Sequence, residues 1–210
     1  MLSLLRIAAI ISSIFAFVSL FIQVLKTRNY GRKSLYSIPQ GRLRNGLFYA
    51  FGKGMLPWEK ESTRNHLPSY LAGIVYHLAI FSALLYFFSL ILSFKINIHF
   101  IFLLRILLFS GFICGLGLLF KRIIIPELRW MSVADDFASN ILVDLFLLNS
   151  LIESLIEGWR AFFFISSILM FIYIPLGKIR HCFFFFLARI HFGLFYGRRA
   201  VLVPWKKRVS

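Results

Sequence analysis

The sequence predicts an all-α integral membrane protein: a bundle of five transmembrane helices, N-terminus outside and C-terminus cytoplasmic, forming a single membrane domain over residues 1–210. Three observations carry this. Hydrophobic residues make up 60% of the chain, with 26 Phe and a mean hydropathy of +0.81, well above the apolar share of soluble domains. The apolar runs are long enough to cross a hydrocarbon core, which takes about 20 helical residues. The basic residues behind the formal net charge of +16 gather between and after those runs, as in membrane topology, rather than in the clustered patch that nucleic acid requires.

The spans fall at 2–25, 68–94, 98–120, 138–156 and 161–195. The first contains one charge, Arg6, and has neither a basic start nor a small-residue cleavage site before Lys26, so it reads as a retained helix. The connector 26–67 carries Lys26, Arg28, Arg32, Lys33, Arg42, Arg44, Lys53, Lys60 and Arg64 against Glu59 and Glu61. Lys121, Arg122 and Arg129 follow the third span, and the tail adds Arg198, Arg199, Lys206, Lys207 and Arg208. The remaining connectors hold only Lys95 and Arg160 as bases. Positive-inside counting places the connector and the tail in the cytoplasm, in agreement with an odd number of spans. The glycines and prolines of the connector, among them Gly41, Gly46, Gly52, Gly54 and Pro57, are expected to break regular structure there.

No soluble catalytic domain fits between these spans, and no phosphate-binding glycine loop is present, so chemistry belongs to the bundle. Cys114 and Cys182 lie far apart without a Cys-x-x-Cys pair. That spacing supports neither zinc nor iron–sulfur ligation nor covalent haem attachment, and both read as apolar filler.

The histidines form a pattern. His66 and His77 lie eleven residues apart, which on a helix leaves them about 20° from one another. His181 and His191 lie ten apart on the fifth span, about 80° from one another. Antiparallel second and fifth spans place His77 level with His181 and His66 level with His191, the two levels about 15 Å apart. Two neutral imidazoles from facing helices are what bis-histidine haem b needs, and a second pair holds a second haem. Gly73 and Gly177 each stand four residues before a proposed ligand, on the same helix face, where a porphyrin needs clearance. Lys178, Arg180, Arg189 and Arg105 are placed to neutralise propionates, or else to reach the headgroups. His99 lies at the outer mouth of the third span. A straight helix from Ala161 would carry His181 about 30 Å down, so either Pro175 kinks the fifth span or its first turn lies outside the membrane. On the fourth span Asp144 serves proton transfer, pairs with a neighbouring helix, or faces a wet surface. Gly111, Gly115 and Gly117 suit close helix approach, and the run Phe183–Phe186 faces lipid and neighbouring helices.

The stretch Pro175-Leu-Gly-Lys-Ile-Arg-His181, with the aromatic run and Gly197-Arg198-Arg199 after it, resembles the last span of the respiratory nitrate reductase gamma subunit family. That family includes the haem b subunits of heterodisulfide-reductase-like and sulfite-reduction-associated complexes. Gly73-Ile-Val-Tyr-His77 with the earlier His66 is similar to its second span. The resemblance implies a di-haem cytochrome b subunit in a prokaryotic inner membrane. Such a subunit exchanges electrons between quinone or menaquinone and a cytoplasmic iron–sulfur subunit, itself joined to a catalytic subunit. It implies His77 and His181 as ligands of the outer haem iron and His66 as an inner ligand. Where the family's fourth ligand would stand, this chain has Arg199, and His191 is the candidate that remains. Lys95 occupies a place comparable to a quinol-side lysine. The alternative is a haem-free anchor or transport protein whose histidines serve packing.

Overall fold

The computed structural model describes residues 1–27, 38–59, 61–94, 96–156 and 158–201. Regular structure among them is helical throughout: α1 (Leu2–Thr27), α2 (Leu43–Phe51), α3 (Glu61–Asn65), α4 (Leu67–Ile91), α5 (Ile98–Ile124), α6 (Pro126–Trp130), α7 (Ala134–Leu155), α8 (Arg160–Tyr173) and α9 (His181–Arg198), with short 3-10 turns at Lys53–Met55, Pro57–Glu59 and Lys178–Arg180. Four helices, α1, α4, α5 and α7, are long and apolar enough to cross a membrane, and there are five spans if the broken pair Arg160–Tyr173 and Lys178–Arg198 counts as one. By helix length and hydropathy the chain is a multi-pass membrane protein,.

The residues group into two compact units. The first comprises Met1–Leu20 with Pro68–Ile179, and the second comprises Phe21–Leu67 with the residues from Arg180 onward.

In the first unit each long helix reverses the direction of the one before. Lys121, near the end of α5, donates to Ser69 Oγ at the start of α4. Arg105, near the start of α5, donates to the Ser154 carbonyl at the end of α7. Glu153 of α7 meets Arg160 at the start of α8, Nε to Oε1 2.8 Å. Arg6 of α1 reaches the Ile91 carbonyl and Ser93 Oγ (3.1 Å to the latter), a cation at a helix C-terminus where the peptide dipole favours it. The buried stripes are helical in period: Ala9, Ser12, Ser13, Ala16 and Leu20 on α1, and Tyr76, Ala79, Ala83, Tyr86 and Phe87 on α4,. Ser12 and Ser13 donate to the carbonyls of Ala9 (3.0 Å) and Ile10 (2.7 Å), three residues back, which satisfies a hydroxyl that has no water to turn to. The core is aromatic, with Phe87 against Phe171 (centroids 5.0 Å) and Phe146 stacked on Phe163 (5.5 Å). Gly111 packs on Ala79, and Gly115 on Tyr76 and Asp144, whereas a methyl at Gly117 would meet nothing within 4 Å. Close approach thus rests on two of the three glycines, as expected where dispersion must replace the hydrophobic drive.

The fifth span is the main departure from the expected layout. Pro175 lacks the N–H that an uninterrupted helix would donate, and α8 ends at Tyr173. The Tyr173 carbonyl accepts from Leu176 (3.0 Å) and Gly177 (2.8 Å), and the chain restarts as a helix only at His181.

The second unit is built on α2 and α9, packed antiparallel through glycine. A side chain at Gly46 would overlap the Gly193 carbonyl and the Gly197 backbone, and one at Gly41 would overlap the Gly197 carbonyl. Gln40 and Gly41 donate their N–H groups to the Arg198 carbonyl at 3.0 and 2.9 Å. Gly46 therefore lies within a nine-residue helix, where helix breaking was expected. Contact with α9 offsets its low propensity. At the other end Phe51 stacks on Phe186 (6.4 Å), so part of the phenylalanine run covers α2.

Gly46→Val should destabilise the protein by about 1–3 kcal/mol, because the atoms it meets are backbone and do not rotate away. Gly117→Ala should change stability by less than about 1 kcal/mol. Thermal unfolding in one detergent measures both, and equal melting temperatures for the two variants would contradict the glycine contact.

Candidate functional site

His77 has the most defined setting of the expected ligands. It lies in the middle of α4, and its Nδ1 is 2.6 Å from the Gly73 carbonyl. A carbonyl oxygen only accepts, so Nδ1 carries the proton and the neutral ring places its lone pair on Nε2. Iron ligands are commonly fixed in this way by a backbone carbonyl on the other nitrogen. The ring meets Tyr76 edge-on at 6.2 Å between centroids, on an exposed part of the helix. A methyl at Gly73 would meet nothing within 4 Å. His77 and Gly73 thus share one helix face, as their spacing predicts.

His181 is the first residue of α9, and His191 lies ten residues on in the same helix. His66 occupies the turn between α3 and α4, its N–H on the Thr63 carbonyl at 3.2 Å. All three side chains are exposed. His77 belongs to the first unit and the other three to the second.

Gly177, the other glycine expected to give clearance, differs from Gly73. Gly177 and His181 do not share a helix, because a bend and the 3-10 turn Lys178–Arg180 lie between them. Gly177 is buried against the Tyr173 ring and Asp135. The structure uses this glycine to let the Tyr173 side chain pass and reach the Asp135 carboxylate.

The basic residues separate by role. Lys178 Nζ lies 2.7 Å from Asp136 Oδ2, and Arg122 Nη1 lies 3.2 Å from Asp136 Oδ1. Asp136 also accepts from the Val133 N–H at 2.9 Å, capping α7. Arg189 donates to the Gly54 carbonyl (3.0 Å) between the rings of Phe185 (5.7 Å) and Phe192 (5.9 Å), so it helps hold the second unit together. Arg105 is committed to Ser154. Arg180 is exposed at the start of α9. Lys95 lies outside the described residues. Beside it in sequence, an apolar groove of about 310 Å³ opens between α4 and α5, lined by Ser82, Tyr86, Ser89, Ile96, Phe100 and Leu104 among others.

Sequence reasoning passed over the acid pair Asp135 and Asp136. Two adjacent carboxylates opening an apolar span were its available signal, since acids suit a helix N-terminus. Asp144 is buried, with Tyr76 and Gly115 beside it and neither oxygen hydrogen-bonded among the described residues. The Tyr76 hydroxyl donates instead to the Asn140 carbonyl at 3.4 Å. His99, through its N–H, is held by the Asn97 cap at 3.0 Å, and Cys114 and Cys182 are both half-buried free thiols.

Asp136→Asn severs two ion pairs and weakens a cap, whereas Lys178→Gln removes one half-exposed pair of the kind that contributes under about 1 kcal/mol. The asparagine variant should therefore melt lower than the glutamine variant, and the double variant should add little to it. Equal losses from the two single changes would contradict the shared network.

Comparison with protein-family models, with curated proteins and with solved structures gives no match to this chain.

Proposed function

We propose that the chain is a haem b-carrying membrane subunit of a quinone-linked respiratory complex, with His77 and His181 as axial ligands of one haem and His66 and His191 as those of a second. The observation that carries this reading is the setting of His77: proton on Nδ1 toward the Gly73 carbonyl, lone pair on Nε2, and open space beside Gly73. These residues fit a haem at that ligand. When bound, the haem supplies one-electron transfer within the membrane.

The chain's own residues do the rest. The Gly73 carbonyl fixes the imidazole tautomer and ring angle,. The missing side chain at Gly73 leaves room for a flat ring beside α4. Arg180 would be a partner for a propionate, and Lys178 would share its charge between a propionate and Asp136,. The apolar groove between α4 and α5, with Tyr86, Ser82 and Ser89 as its polar groups, suits a quinone or menaquinone ring and tail, and Lys95 stands next to its lining residue Ile96 in sequence. With the N-terminus outside, the basic connector 26–67 and the tail face the cytoplasm, where an iron–sulfur subunit and its catalytic partner dock. The reading places the protein in a prokaryotic inner membrane.

Haem content of purified variants tests the proposal. His77→Ala and His181→Ala should each lose the same haem and keep the other. Gly73→Leu, whose Cβ would meet nothing within 4 Å, should keep its helical content yet lose that haem as well. If either histidine variant retained both haems, the pairing is wrong. If the wild-type protein carried none, the haem-free anchor would be the correct reading.

A further inference from the structure

The antiparallel packing of α2 and α9 does more than close the second unit. By joining Gln40 and Gly41 to the Arg198 carbonyl it gathers Arg42, Arg44, Arg198 and Arg199 at one end of the helix pair. Two of these lie over phenylalanine rings four residues away in sequence. The Arg44 guanidinium is 5.2 Å from the Phe48 centroid, and that of Arg199 is 3.8 Å from the Phe195 centroid. Both rings are on the outside, 65% and 37% exposed, and Trp58 is 63% exposed soon after α2. Among the described residues, none of Arg42, Arg44 and Arg199 forms an ion pair.

An arginine held over a ring keeps its N–H edge for an oxyanion. Arg44 and Phe48 lie together on an exposed part of α2, so cation and aromatic share one exposed surface. That combination fits the headgroup level of a membrane, where aromatic rings sit at the apolar edge and arginines meet phosphate. The connectivity agrees: Trp58 lies a short segment before α4, a candidate span, and α9 is half of another.

We infer that this arginine–phenylalanine end binds the phosphate headgroups of anionic phospholipid, with the rings of Phe48 and Phe195 seated in the adjoining acyl layer. The inference stands apart from the haem reading.

Native mass spectrometry of the full-length protein in detergent, with phosphatidylglycerol or phosphatidylcholine added at equal concentration, tests it. Phosphatidylglycerol should be retained more tightly than phosphatidylcholine. The double variant Arg44→Gln/Arg199→Gln should reduce that preference about thirtyfold, as expected from two charges at about 1 kcal/mol each. Arg44→Lys/Arg199→Lys should keep most of it, and thermal unfolding of both variants establishes that each is folded. Glycerol phosphate, which has the anion without the chains, should not displace the lipid. Equal retention of the two lipids, an unchanged preference in the folded glutamine variant, or displacement by glycerol phosphate would each overturn the inference. Unchanged retention is also what an acidic protein partner covering this end would give.

Discussion

The helix break between Tyr173 and His181 is the constraint on which the rest of the arrangement depends. Backbone groups freed inside an apolar chain have no water to take them, so the break must be satisfied internally. It is: the Tyr173 carbonyl takes two N–H groups, the Tyr173 hydroxyl reaches Asp135, and Lys178 reaches Asp136. Pro175 ends one helix, Gly177 lets the tyrosine side chain pass, and the acid pair that opens α7 holds the 3-10 turn ahead of α9. His181 is thereby the first residue of a new helix, and its register is counted from this turn rather than from α8.

The same rule orders many other polar groups of the first unit. Serines donate to the carbonyl three or four residues back, arginines cap helix ends, and Glu153 takes Arg160. Asp144 departs from it. Its carboxyl is buried beside Tyr76, in the space that Gly115 leaves, without a hydrogen bond among the described residues. Burying a polar group without a partner costs a few kcal/mol.

Much of the architecture was legible in the sequence because lipid demands long apolar helices. The first four spans lie within a few residues of their expected limits, and the Gly73–His77 face follows from helical spacing alone. What escaped depended on tertiary contacts. Gly46 reads as a helix breaker until a second glycine helix lies against it. Gly177 shares its spacing with Gly73, but Pro175 removes the helix that would give the spacing its meaning. Lys178 and Arg189 look like free cations in the sequence, yet one is held by an acid forty-two residues earlier and the other by a carbonyl of the connector. The histidine pairings rest on the expected antiparallel spans and on the resemblance to a haem b family, and the proposal for His77 itself rests on its setting in α4.

The central claim, that paired imidazoles of this chain ligate haem iron, is tested most directly by electron paramagnetic resonance of the oxidised, purified full-length protein. The account predicts low-spin ferric signals of bis-histidine haem b. A protein without haem, or one with only high-spin ferric signals, would contradict it.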